Sequence, residues 1–151
     1  MYQGTGKGII SACLIRPFTK YIGIEYLENL TNLAEETIAI FNEEIVGIYK
    51  RKQELFKDYN HKLPIIENVN GDFLLYEWTD ASVVFANSTC FSKDLMEKIR
   101  IKAELLRKGT FVITFTKKLP GSSKTHLWQV QDGFKRYMSW GVATVYIHKR
   151  V

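Results

Sequence analysis

The sequence predicts an α/β fold on a mainly parallel sheet. Apolar, β-branched runs alternate with segments of helical period along the whole chain. The interior runs are nearly all apolar, as expected of strands covered on both faces. No repeat, Pro/Ser-rich linker or single-sign charge block divides the 151 residues, so residues 1–151 read as one domain. At that length roughly 70% of the unfolded chain's surface is buried on folding.

The elements follow in order. Ile9–Ile15 is apolar enough for a buried helix and stops near Pro17, because proline disfavours helix at the residue before it. Tyr21–Glu25 reads as a short strand. From about Asn29 to Tyr59, Leu30, Ala34, Ile38, Phe41, Ile45, Ile48 and Leu55 recur every three to four residues, which marks a long amphipathic helix interrupted by Gly47. Ile65–Val69 is a strand ending at Asn70-Gly71, and Ser82–Ala86 is a buried strand ending at Asn87. Ser92 caps a helix carrying Leu95, Ile99, Ala103 and Leu106, closed at Lys108-Gly109. Phe111–Phe115 is another buried strand, and Trp128–Val130 with Val142–His148 forms a final pair around Ser139-Trp140-Gly141.

Composition narrows the function classes. With 46% hydrophobic and 25% charged residues, the chain is neither disordered nor low-complexity. Two cysteines do not make a disulfide scaffold. The absence of a long apolar run and of a charged-then-apolar leader predicts an intracellular, soluble protein with no membrane partner. The formal charge of +5 suits a polyanionic partner, and it equally suits plain solubility. Lys117-Lys118 through Lys124 form a basic loop, read as solvated and able to make a weak phosphate contact. His61, His126 and His148 lack metal-ligand spacing, so no metal is expected. Cys13 reads as core, and Cys90 as a small buried thiol.

In parallel sheets ligands sit at the carboxyl ends of strands, so the residues there carry the functional reading. Gly4-Thr5-Gly6-Lys7-Gly8 opens the first helix and lets a ligand approach the main chain, although such loops are often tight turns. Gly8 stands where a phosphate-gripping loop needs Ser or Thr, so Lys7 is expected to face solvent. Glu25 ends the strand candidate Tyr21–Glu25, where an acceptor-only carboxylate takes both hydroxyls of a ribose; by itself it is also an ordinary solvated carboxylate. Asp72 suits an adenine amino group and Phe73 the base, or the pair is a turn with a core Phe. Asn87 both donates and accepts, and so fits an amino-acid moiety, the reacting amine or a strand cap.

Together these features fit an S-adenosylmethionine pocket better than a dinucleotide site, whose second pyrophosphate-binding half is missing. Phe91 and Trp140 are candidates for an aromatic wall beside a cation. Methyl transfer from a sulfonium needs alignment and exclusion of water more than acid–base residues. The reading requires Glu25 and Asp72 at the same end of the sheet.

From Gly4 to His148 the chain resembles the catalytic core of the non-SET histone-lysine methyltransferases, the disruptor of telomeric silencing family. The resemblance is carried by Gly71-Asp72-Phe73, Trp78, Ser82–Asn87, Cys90-Phe91, Leu106–Thr110 before Phe111-Val112-Ile113, then Ser139-Trp140, Tyr146 and His148. It implies a Rossmann-like class I methyltransferase sheet with a C-terminal antiparallel strand pair. It also implies methyl transfer to a lysine on a nucleosomal histone, and hence a nuclear location. Gly4, Gly6 and Gly8 would lie against the donor, Glu25 at its ribose, Asp72 and Phe73 at its adenine, and Asn87 at its methionine part. Asn87, Phe91 and Trp140 would form the catalytic end, the two aromatics lining the lysine channel.

The chain departs from the family pattern at Tyr2, where an acidic residue is usual, and at Ser88 and Thr89, which stand for a second asparagine and an aromatic. The central first strand and the upstream lid are expected to be missing from this sequence, as from a truncated N-terminus. Alternatives are a class I methyltransferase acting on another protein or a small amine, and a non-catalytic relic or partner subunit. A nucleic-acid amine methyltransferase ranks lower, because Asn87-Ser88-Thr89-Cys90 lacks the prolines of such loops.

Overall fold

Gly6, at φ 83°, ends the glycine turn and starts α1 (Lys7–Ile15) in the computed structural model of the protein, which describes residues 4–51, 64–122, 126–139 and 141–151. The chain divides into two compact units, Met1–Phe73 and Leu74–Val151.

In the first unit α1 is followed by β1 (Lys20–Glu25), α2 (Glu28–Arg51) and β2 (Ile65–Asn70). The last part of the long predicted helix, 52–59, lies outside the described residues, as does His61. β1 and β2 pair in parallel from Lys20↔Ile65 to Glu25↔Asn70, as a crossover through a helix requires. Ile9, Cys13, Tyr21 and Ile38 form the core, with Ile10, Phe18, Phe41 and Ile66 packed against it. Cys13 is therefore core, as expected. A Cβ on Gly6 would meet Ala34 of α2 at 3.4 Å in a backbone shape that side chains rarely adopt, so glycine is needed both for the turn and for the approach of α1 to α2.

The second unit is a four-stranded sheet of order β3-β4-β6-β5, made of β3 (Val83–Ala86), β4 (Phe111–Phe115), β5 (Trp128–Met138) and β6 (Gly141–Arg150), with α3 (Lys93–Ala103) between β3 and β4. β3 and β4 are parallel, and β4–β6 and β5–β6 antiparallel. The α/β class with a parallel part and a C-terminal antiparallel pair thus holds. Ser92 caps α3 by accepting from the Leu95 amide at 3.1 Å. Met96, Ile99 and Ala103 bury one face of α3. β5 carries an irregularity between Gln131 and Phe134, where a Cβ on Gly133 would run into Tyr146 at 2.5 Å and Thr144 at 2.6 Å.

Three expectations need correction. α1 is not a buried helix: Ile9 and Cys13 are buried, but Leu14 and Ile15 are exposed, because one face alone meets the core. β3 and β4 are not covered on both faces: Val84, Ala86, Val112 and Thr114 are buried, but Val83, Phe85 and Phe111 are exposed at 38%, 39% and 39%. An apolar run records what a strand can bury, not what lies over it. Cys90 is exposed, because it sits in the turn after β3 rather than in the strand.

Candidate functional site

Parallel pairing with Glu25 opposite Asn70 brings the ends of β1 and β2 together. Asp72, two residues beyond Asn70, lies at the same end of the pair as Glu25. Glu25 is wholly buried. Its Oε2 accepts from the Gly4 amide and its Oε1 from the Leu27 amide, each at 3.1 Å. The carboxylate therefore ties the glycine loop to the strand tip with charge-assisted bonds. The tip is laced further. The Gly71 amide donates to the Glu25 carbonyl at 2.9 Å, and Asn70 Nδ2 donates to Thr31 Oγ1 at 3.0 Å and to that same carbonyl at 3.3 Å.

Gly4 and Gly6 have positive φ, as a turn against a helix start demands. Gly8 lies in the first turn of α1 with no neighbour within 4 Å of a Cβ, and Lys7 is exposed, as expected. Asp72 is half-buried and Phe73 is 5% exposed.

In the second unit Asn87 follows β3 directly and is half-buried. Its Oδ1 accepts from Thr89 Oγ1 at 3.1 Å. Ser88, wholly buried, donates from Oγ to the Phe115 carbonyl at 2.7 Å and accepts from the Phe115 amide at 3.1 Å, clamping the ends of β3 and β4. Phe91 is buried at 6% exposure. Trp140 lies outside the described residues.

Of the basic loop, Lys117 Nζ bonds to the Phe91 carbonyl. With Lys93, Met96, Lys118 and Pro120 it lines a shallow cleft of about 550 Å³ that none of the predicted site residues lines. Lys124 lies outside the described residues.

His148 is wholly buried in β6. Its Nδ1–H donates to the Val112 carbonyl at 3.0 Å, which leaves Nε2 to accept from the Leu119 amide at 3.2 Å. Burial lowers its pKa below the usual histidine range; the Val112 bond opposes this and nearby Lys118 adds to it. No cluster of metal-ligating side chains occurs among the described residues.

Thr31 and Thr116 were not foreseen from the sequence, Asn70 was read only as a strand end and turn, and Ser88 only as a departure from the family pattern. Thr31 and Asn70 carry a faint signal, because short polar side chains at strand ends and helix starts bond local backbone. Thr116 carries none.

The arrangement of strands and helices defines a class. The chain superposes on yhhF of Escherichia coli, assigned as a methyltransferase, with TM-score 0.61 at 15% identity over 99% of this chain and 75% of that one. It superposes on the precorrin-6y C5,15-methyltransferase of Geobacter metallireducens GS-15 with TM-score 0.53 at 9% identity over 99% and 78%. At such identities the likeness speaks for the fold, which is Rossmann-like.

The particular family follows from sequence. The family described as histone methylation protein DOT1 matches residues 2–142, and the chain belongs to it. The protein is an S-adenosylmethionine-dependent methyltransferase. No curated protein sequence matches the chain. No helix among the described residues is long and apolar enough to cross a membrane.

Proposed function

We propose that the chain acts as one domain over residues 1–151 and methylates a lysine of a nucleosomal histone, in the nucleus. The observation that carries the donor-site reading is the Gly4 amide bound to Glu25 Oε2 at 3.1 Å, with Asp72 just past the register partner of Glu25. A glycine turn and acceptor-only carboxylates at one strand tip suit a ligand rich in hydroxyl and amino donors. S-adenosylmethionine supplies, when bound, a methyl group already activated on sulfur.

The glycines Gly4, Gly6 and Gly8 let the main chain approach the donor. Asp72 accepts from its adenine amino group, and Phe73 supplies apolar surface. Each Glu25 oxygen has a second acceptor direction beyond the amide it already holds, and those directions serve the ribose hydroxyls. Asn87 holds the amino-acid part, and Phe91 and Trp140 line the acceptor channel. Lys118 offers a phosphate contact beside the nucleosome.

The complete burial of Glu25 favours a second reading, a partner subunit that keeps the fold but has a closed donor site. Calorimetry with S-adenosylmethionine separates the two, because a folded sample that binds no donor belongs to the second. Labelled donor offered to nucleosomes, free histones, total protein and small amines then tests the acceptor. Transfer to histone, abolished in Glu25→Ala and Asp72→Ala, is expected; transfer to small amines alone overturns the histone assignment.

A further inference from the structure

Each unit carries an apolar surface that its own core leaves uncovered, and the two differ in the sign of their charge. In the first unit α2 buries Thr31, Ala34, Ile38 and Ile45, and turns Leu33, Glu36, Ile40 and Glu43 outward. Those four recur every three or four residues, so they form one stripe along the helix. Leu33 is 46% and Ile40 63% exposed. From Glu28 to Glu44 the helix has five glutamates and no lysine or arginine. All five are exposed, and none forms an ion pair among the described residues.

In the second unit α3, the turn after it and residues 74–79 enclose a cleft of about 380 Å³. Leu74, Ile101 and Leu105 line it, and Ile101 and Leu105 are exposed at 54% and 71%. Lys102 fixes one wall: its Nζ donates to the Leu74 carbonyl at 2.8 Å and to the Tyr76 carbonyl, and lies 5.4 Å from the centre of the Trp78 ring. Glu77, the carboxylate on the lining, accepts from the Thr79 amide at 2.8 Å and from the Thr79 hydroxyl. Lys98 on the lining, and Arg107 and Lys108 just past Leu105, are exposed and form no ion pair among the described residues.

We propose that the α2 stripe of one copy of this chain docks in the cleft beside α3 of a second copy. Leu33 and Ile40 meet the apolar lining, and the glutamates beside them face Lys98, Arg107 and Lys108. Charge selects this pairing of unlike faces. Two α2 stripes would set glutamates against glutamates, and two clefts would set cations against cations. The acidic stripe also repels nucleic acid and anionic membrane, so its partner is a cationic protein surface, and the chain itself carries one. A contact between unlike faces leaves one of each free, so copies add until a ring closes or concentration limits growth. The assembly does not depend on the donor-site reading.

Sedimentation of the full chain, followed up to about 300 μM because small interfaces are weak, is expected to show an average mass that rises with concentration. Salt at about 0.5 M is expected to weaken the association about tenfold, because it screens exposed charges. One variant carries Ile40→Ser with Glu43→Lys, and the other Leu105→Ser with Lys98→Glu. All four side chains are exposed, so both variants keep the fold, which circular dichroism checks. Each variant alone is expected to stay monomeric. Their equimolar mixture is expected to form pairs and nothing larger, since each keeps the face that the other lacks.

A wild type that stays monomeric over the whole range overturns the proposal. So does association that survives in either variant alone, which would place the contact elsewhere or between like faces. A mixture that fails to pair overturns it as well.

Discussion

At the tip of β1 a buried carboxylate accepts from two backbone amides, while at the tip of β3 a half-buried amide accepts from a threonine hydroxyl. The first uses charge-assisted bonds, roughly twice as strong as neutral ones, and so ties a glycine loop into one shape. The second uses neutral hydroxyl bonds, from Thr89 to Asn87 and between Thr89 and Thr116, which link side chains rather than hold a backbone segment.

The contrast can be broken by mutation. Glu25→Ala removes both acceptors and leaves the Gly4 and Leu27 amides without their partner; a loss of about 3 kcal/mol is expected in urea unfolding, with Glu25→Gln recovering part of it. Ser88→Ala, which opens the neutral clamp between β3 and β4, is expected to cost about 2 kcal/mol in the same measurement. A larger loss in Ser88→Ala than in Glu25→Ala would reverse the ranking of the two tips.

The smallest effect is a pH dependence confined to the second unit. His148 is held neutral, with its folded pKa below the unfolded value, so the unfolded chain takes up the proton first. Its contribution is therefore complete above about pH 6.5 and is lost as pH falls through the lowered folded pKa, by at most about 1.4 kcal/mol per pH unit. Denaturant midpoints between pH 7 and 5 should fall in the wild type and flatten in His148→Gln. An equal slope in both would assign the effect to other groups.

Much of this was legible before any coordinates. Three-to-four periodicity located α2, Ser92 located the start of α3, and Pro17 the end of α1, because each signal is local. Glu25, Asp72 and Asn87 stood out as candidates because polar residues at or just past the ends of apolar runs are conspicuous. Phe85 and Phe111 were misread as buried, because the cover over a strand face comes from residues far along the chain. Cys90 was misread because the strand ends before it. Thr116 was invisible: threonine favours extended backbone, and its φ of 63° goes with the bond of its amide to the Thr144 carbonyl at 2.7 Å.

The sequence by itself determined the order and kind of elements and which polar residues would stand at the strand ends, since periodicity and capping act within a few residues. Tertiary structure alone decided that Glu25 would be sealed against two amides and that Ser88 would clamp the ends of β3 and β4 through Phe115. Burial and hydrogen-bond direction depend on partners that only folding brings within reach.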